Sequence, residues 1–426
     1  SMAARRIGGI CRKLRPEGVL DGSAHISVNS AAEYNFTIEE GGQAAAVSEA
    51  LKRVLTSSHD EDNDEDTPFG VVRHLKGIPL WRYLFRQTPI DNVEAEFMSP
   101  RLEGFPKGQE GRFWGLDESI GQQTMYVAWK EVNLHLPEVR AEIVPEMGNK
   151  ARHITISHYW LNILQAPLAH VLKDAMKYHP SVFSSFHRQD QTWEATKMML
   201  ASKGGPLKDN EYILSSDLKN ATNAQQWDLT KSMIMSFLSG YGLYHKPDYV
   251  NLVLSLLGPR LVNFEDNSFV ISNKGIMMGE AMAKPSLTLL NLSIMEVSYL
   301  HRIGRLDVLH TNLPAPWSRY RFEHIGGDDH LVRGDPTHLD LVTDYHRKAG
   351  SRFSDGQHGY SNVAVRYTER VIFLKNIQYG KSFDKDDHSK SVIVDSVKVR
   401  LLERGQSTLI SKDNKNVAVG KAGQLC

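Results

Sequence analysis

The sequence predicts an α+β fold, and three observations carry that reading. Phe322 to Val332 has the pattern of a β-hairpin with Gly326-Gly327-Asp328-Asp329 at its tight turn. Glu211 to Leu218 is a short apolar strand that ends in an acid, Asp217. Tyr159 to Tyr178 and Ser286 to Leu300 are long apolar helical stretches against which such strands can pack. At 426 residues the chain is long for one compact domain, which suggests two or three subdomains around a shared core.

Composition narrows the classes. Hydrophobic residues make up 41% and charged residues 23%, both ordinary for a soluble globular protein. Lys+Arg and Asp+Glu each total 50, which argues against a strongly basic nucleic-acid binder but leaves room for a basic channel balanced by acids elsewhere. Only Cys11 and Cys426 occur, so neither a disulfide framework nor a cysteine zinc site is expected. No run of about 18 apolar residues appears, and no transmembrane helix is predicted. Ser1-Met2 has the look of a cloning scar before the native start. Ala3 to Arg15 is basic and acid-free, and a solvated basic arm is preferred there over a mitochondrial presequence.

Along the chain, Ala44 to Leu55 reads as a short amphipathic helix, and the acidic run Asp60 to Asp66 as a solvated linker. Trp81-Arg82-Tyr83-Leu84-Phe85-Arg86 interleaves rings with cations, which suits stacked bases and phosphates, although a core element with charged edges is the better reading of that stretch alone. From Pro145 to Ile156 a Gly-Asn turn feeds a strand on which Lys150 and Arg152, two residues apart, face one surface. They suit a triphosphate, lysine as a point charge and arginine as a fork. Asp217 precedes Lys219-Asn220-Ala221-Thr222-Asn223 and a helix from about Gln225 to Ser239, so a helix N-cap is its competing role. The loop Lys274 to Glu280 carries Gly275 and Gly279 just before the helix at 286 to 300, and such a loop can approach a nucleotide closely or simply cap the helix. Two adjacent carboxylates at a turn, Asp328 and Asp329, repel each other and usually await a cation, although an ordinary solvated turn would look the same.

In this order and spacing, the paired-cation strand, the acid-tipped strand, the glycine loop with its helix and the Gly-Asp-Asp hairpin resemble motifs F, A, B and C of viral RNA-dependent RNA polymerases, nearest to ourmia-like and narna-like replicases. The residues that carry the resemblance are 145 to 152, 217 to 222, 275 to 280 with Lys284, and 327 to 329. Gly350, Ser354 to His358 and Thr368-Glu369 are similar to motif D and the strand after it. The likeness covers roughly residues 138 to 375.

The resemblance implies a right-hand fold: an N-terminal arm and linker (1–67), fingers (68–210 and 229–273), a palm with an antiparallel sheet (211–228 and 274–380) and a small thumb or C-terminal extension (381–426). It also implies two-metal nucleotidyl transfer, with Asp217 and Asp328 on two Mg²⁺ ions, Asp329 in support and Mn²⁺ able to substitute. Lys150, Arg152, Thr222, Asn223, Gly279 and Asn291 would bind the nucleoside triphosphate, and Arg82, Arg86 and Lys284 the RNA. The implied partners are an RNA template, a primer or nascent strand and nucleoside triphosphates; a closed thumb would need the N-terminal arm, a second replicase chain or RNA. Host cytoplasm is the default location.

Departures from the pattern are Asn223 in place of Asp, Ala281 and Ala283 in place of Pro and Thr or Ser, and Gln357 in place of a lysine that could donate a proton to pyrophosphate. His358, beside it, can titrate near neutrality and is the expected general acid. These changes predict slow or partner-dependent activity. Two other readings stay open: a degenerate, RNA-binding replicase subunit, and a reverse transcriptase, against which the small Thr222 and the sequence before Asp328 both argue.

Overall fold

The computed structural model describes residues 1–16, 28, 31–56, 124–125, 127–129, 131–132, 136–146, 150–187, 190–201, 207–243, 247–310, 322–368, 370–374 and 396–398. The expected acidic linker, Arg82 and Arg86 lie outside this set, as does the side chain of Lys150. Helices and strands are both abundant, as an α+β fold requires. The chain divides into two compact units, one of residues 1–141, 155–179 and 222–293, the other of 142–154, 180–221 and 294–426.

In the first unit, helix α1 (Met2–Leu14) buries Ala3, Ala4, Ile7, Gly8 and Cys11 on one stripe. This corrects the expectation of a solvated arm. Arg5, Arg12 and Lys13 stay in water while the apolar stripe docks on a later helix, so the basic composition describes only the outer face. Glycine makes the crossing feasible: a Cβ at Gly8 would lie 2.3 Å from the carbonyl oxygen of Phe237, and one at Gly240 would lie 1.9 Å from that of Arg5. Helix α2 (Gly42–Thr56) matches the amphipathic stretch expected there.

The apolar stretch at 159 becomes α3 (Tyr159–Met176), whose Leu161, Ile163, Leu164, Leu168 and Leu172 are fully buried. Pro167 interrupts its hydrogen-bond ladder. The hydroxyl of Tyr249 repairs the gap, accepting from Leu168 N at 3.1 Å and donating to Leu164 O at 2.9 Å. Strands β1 (Glu138–Glu146) and β2 (Lys150–Ser157) begin a sheet whose order is β2-β1-β4-β5. Its β4 (Leu261–Asn263) runs parallel to β1 and antiparallel to β5 (Phe269–Ile271).

The second unit contains the short helices α4 (Phe183–Phe186) and α5 (Gln191–Thr196). It is built on an antiparallel sheet of order β6-β7-β3-β8, formed by β3 (Tyr212–Leu218), β6 (Glu323–Gly326), β7 (Asp329–Gly334) and β8 (Phe353–Ser361). In a strand, alternate residues face opposite ways. Ile213 and Leu331 therefore share one face, where they pack with Ala195 and Met199 and with Val365 and Tyr367 of β9 (Ala364–Tyr367). Beyond β9 the small sheet continues with β10 (Arg370–Phe373) and β11 (Ser396–Lys398). Against the other face lies a helix at Pro336–Lys348, which buries Leu339, Val342 and His346. The longer helices α6 (Trp227–Tyr241), α7 (Pro247–Ser255) and α8 (Ala283–Arg302) precede it, which makes it α9. No described helix is long and apolar enough to cross a membrane.

Candidate active site

Strands β6 and β7 are joined by Gly327 and Asp328 alone. Gly327 takes φ of +88°, which the first position of a two-residue type II′ hairpin loop demands and which a side chain would resist. Register then follows from the turn: Gly326 pairs with Asp329, and Asp329 pairs with Asp217 on β3. Asp217 is thus a strand residue, not a helix cap. Leu218 N donates to the Asp328 carbonyl at 3.3 Å, which ties the turn to the end of β3. Register thus places three carboxylate-bearing residues, Asp217, Asp328 and Asp329, at one end of the sheet.

Their electrostatics reflect the crowding. Burial, followed by the charges of Asp328 and Asp217, pushes the Asp329 carboxyl up to about 7, against the opposing pull of Arg366 and the Thr368 backbone N–H. Asp328 is exposed at the turn tip, yet the surrounding protein and the charge of Asp217 raise its pKa as well, while Arg152 pulls it down. Gln357, with its amide nitrogen turned to the carboxylate, donates to Asp217 Oδ2 at 2.7 Å and accepts from Arg366 Nη1 at 3.0 Å. The backbone beneath Arg366 is fixed in turn, because Ser215 Oγ donates to its carbonyl.

His358 sits one residue further along β8 and faces the other way. Its Nδ1 bonds Ser216 Oγ at 2.8 Å, its Nε2 lies 3.3 Å from Thr343 Oγ1, and its ring stacks on Phe353 at 3.8 Å. Burial and the charge of Arg347 lower its pKa. This placement does not serve the general-acid role expected of it, because the alternation of the strand turns it away from Asp217.

Among the described residues, no three His, Cys, Asp or Glu side chains converge as a ready-made metal centre. In kind, the donors fit a hard divalent cation: oxygen ligands alone, with burial and the neighbouring carboxylates holding the Asp329 carboxyl up at about 7.

Arg152 is exposed on β2 in the same unit as the carboxylates. Thr222, Asn223, Gly279, Lys284 and Asn291 belong to the other unit. There the segment after β3 meets the glycine loop: Ile276 N donates to Thr222 O at 2.9 Å and Gly275 N to Gln225 O at 2.8 Å. A Cβ on Gly275 would lie 2.6 Å from Asn223 O. Gly279 takes φ of +103°, and Thr155 Oγ1 donates to the neighbouring Met278 carbonyl at 2.8 Å. Glu280 anchors the loop from below, accepting from Arg260 Nε at 2.9 Å and Gln165 Nε2 at 3.0 Å in the interior. Asn291 is fully buried in α8, and Lys284 is exposed.

Sequence reasoning missed Arg366 and the network of Arg260, Glu280 and Gln165. Arg366 sits in an unremarkable Val-Arg-Tyr strand, and only its sheet neighbours reveal where it points. Arg260 is a lone cation after Gly258-Pro259, and nothing nearby in the chain marks its distant acid.

No protein-family model matches the chain. It is 25% identical over 262 residues to the RNA-directed RNA polymerase of Saccharomyces 23S RNA narnavirus, a match covering 57% of this chain and 25% of the relative. The chain therefore spans about a quarter of the length of that curated relative. Two solved structures of the RNA-dependent RNA polymerase of a human picobirnavirus are similar at 13% identity. The insertion-loop deletion mutant has a TM-score of 0.47 and the match covers 67% of this chain and 53% of that one. The other has a TM-score of 0.46, covering 65% and 49%.

Proposed function

We propose that this chain catalyses template-directed RNA synthesis by nucleotidyl transfer, in the service of replicating a small positive-strand RNA genome. The observation that carries the proposal is the register that sets Asp217 against Asp329, with Asp328 on the turn beside them. The distant similarity to a narnavirus RNA-directed RNA polymerase supports the same reading. In this proposal the sheet of β3, β6, β7 and β8 is the palm of a right hand. The fingers come from 68–210 and 229–273 and a small thumb from 381–426. Host cytoplasm is the proposed location.

Asp217 and Asp328 would hold two Mg²⁺ ions, with Asp329 in support, and Mn²⁺ fits the same oxygen set. Bound there, the metal supplies a lowered pKa for the primer 3′-hydroxyl and neutralises charge on the departing pyrophosphate. Gln357, held by Arg366, orients Asp217. Arg152, with Lys150 on the same strand, would pair the triphosphate oxygens. Thr222 and Asn223 would meet the ribose, where the Asn amide bonds a 2′-hydroxyl without adding charge. In the other unit, the Gly279 loop would approach a nucleotide and Lys284 would pair the RNA backbone, whereas Asn291, fully buried in α8, is not placed to touch the nucleotide as expected.

A second reading, an RNA-binding replicase subunit without catalysis, draws on Asn223 and on the lack of a converged three-ligand centre among the described residues. Extension of a short primed RNA with Mg²⁺ separates the two readings. Wild type should add ribonucleotides in preference to deoxyribonucleotides, and Asp328→Ala should not extend. If neither protein extends and both bind RNA equally, the accessory reading replaces the polymerase.

A further inference from the structure

Tyr367 of β9 pairs with Arg370 of β10, so Thr368 opens a two-residue hairpin loop. The favoured forms of such a loop take positive φ at this position and ordinarily use Gly or Asn there. Thr368 takes φ of +45° although it is β-branched, which makes it the costly choice. A conformation of this kind persists only where the surroundings enforce it, and it clusters at functional sites. The enforcement comes from α5 and β6. Thr368 Oγ1 shares a 2.9 Å hydrogen bond with Oγ1 of Thr192, a buried residue of α5. Two residues on, Arg370 Nη1 donates to Asp190 Oδ2 at 3.1 Å, while Asp190 Oδ1 caps α5 by accepting from Trp193 N. One residue back, the buried Tyr367 bonds His324 Nδ1 through its hydroxyl, and His324 Nε2 bonds Ser184 Oγ at 2.8 Å.

We propose that Thr368, braced by Thr192, is a positioning residue that holds the Asp329 carboxylate in place for a divalent cation. The proposal rests on the reading of Asp217, Asp328 and Asp329 as a metal site. The left-handed turn aims the backbone N–H of Thr368 at the Asp329 carboxylate. Glycine would permit the same turn, but only a side chain with a hydroxyl ties that N–H to α5. The helix also abuts the base of the β6–β7 turn. A Cβ on Gly326 would lie 2.4 Å from Gln191 Oε1, 2.8 Å from the Tyr367 hydroxyl and 3.4 Å from Thr368 Cγ2. Gly326 is the pairing partner of Asp329, so one short helix braces both the strand opposite Asp329 and the donor that addresses it. Arg366, two residues earlier on β9, adds positive charge near the same carboxylate. A neutral backbone donor can fix a ligating carboxylate without competing, as a cation does, for the charge that a metal needs.

The test is Mn²⁺ binding to the full chain, read by electron paramagnetic resonance, with circular dichroism to confirm folding and primer extension measured alongside. Thr192→Val keeps the side-chain volume but deletes the hydroxyl, and should weaken Mn²⁺ binding about tenfold. Thr192→Ser restores the hydroxyl and should bind within about twofold of wild type. Thr368→Val keeps the β-branch without its brace, so the turn leaves positive φ and affinity should fall about tenfold or more. Thr368→Gly takes positive φ unaided and should lose no more than about threefold. A purely structural role predicts the reverse order at 368, since glycine removes more packing than valine. Equal or greater loss in Thr368→Gly than in Thr368→Val overturns the proposal. So does an affinity indifferent to Thr192→Val, or a wild-type chain that binds no Mn²⁺. Extension reports on the other question: a chain that extends no primer yet keeps the expected order of Mn²⁺ affinities loses the polymerase reading and upholds the positioning role.

Discussion

On β3 and β7, Asp217 and Asp329 turn to one face of the four-stranded sheet, while their immediate neighbours Ser216 and His330 turn to the other. The two faces treat ionisable groups in opposite ways. On the acid face, Asp217 and Asp329 are half-buried, with Gln357 and Arg366 in reach and Asp328 exposed at the turn. On the far face, His330 is fully buried and stacks on His346 of α9 at 4.8 Å, and Phe353 lies between His346 and His358. Burial drives His330 well below the ordinary histidine range, and burial with the charge of His358 takes His346 to about 3. Neutral imidazoles side by side avoid the mutual repulsion that makes three carboxylates need water or a cation. The layer is costly in another way: both ring nitrogens of His330 and Nε2 of His346 are buried without a hydrogen-bond partner among the described residues. A step of one residue along a strand separates a surface suited to ion chemistry from a packed core.

The largest expected effect tests the acid face directly. Asp328→Ala should reduce primer extension by at least about 10²-fold while leaving the unfolding midpoint near wild type. Gln357→Leu should weaken Mn²⁺ binding, read by electron paramagnetic resonance, about tenfold through loss of the hydrogen bond that orients Asp217. If Mn²⁺ affinity is unchanged, Gln357 is a bystander on that face.

The pH responses of the two faces should differ in sign. The folded pKa of Asp329, about 7, exceeds the ordinary value of 3.8, so its contribution to stability is intact below about 4 and is lost as pH rises through 7. Asp329→Asn should therefore stabilise the protein at pH 8 by about 1–2 kcal/mol after solvent screening, and not at pH 4, as measured by urea unfolding without divalent cations. For His346 the folded pKa lies below 6.5, so its contribution is intact above that value and is lost as pH falls toward about 3. His346→Phe should flatten the acid limb of the stability profile by about one proton, and an unchanged slope would place that titration elsewhere. The smallest effect should come from His358→Gln. A group facing the dry layer should alter extension by less than about threefold, far short of the 10² or more expected when a general acid is removed.

Much of this was legible in the chain. The hairpin at 323–334, the strand at 212–218 and the helices at 159, 227 and 283 are all where local pattern put them, because periodicity and turn chemistry are properties of neighbouring residues. Asp217, Asp328 and Asp329 were identifiable as acids at a strand tip and a turn. His358 was not assignable in this way, since Gln357 and His358 differ by one step and the bulge between β3 and β8 decides which of them shares a face with Asp217. The fate of Ala3 to Arg15 was equally hidden, because its apolar stripe makes sense only beside Gly240, more than two hundred residues away.

By itself, the sequence determined the menu of elements and the three carboxylates, since both depend on residue type and short-range spacing. Tertiary structure alone decided which acid faces which, that Gln357 and not His358 attends Asp217, that Arg366 joins them, and that the basic N-terminal stretch is a docked helix. Those are matters of strand register and helix contact between residues far apart in the chain. No local pattern encodes them, because burial and electrostatic coupling arise only once the distant partners are packed together.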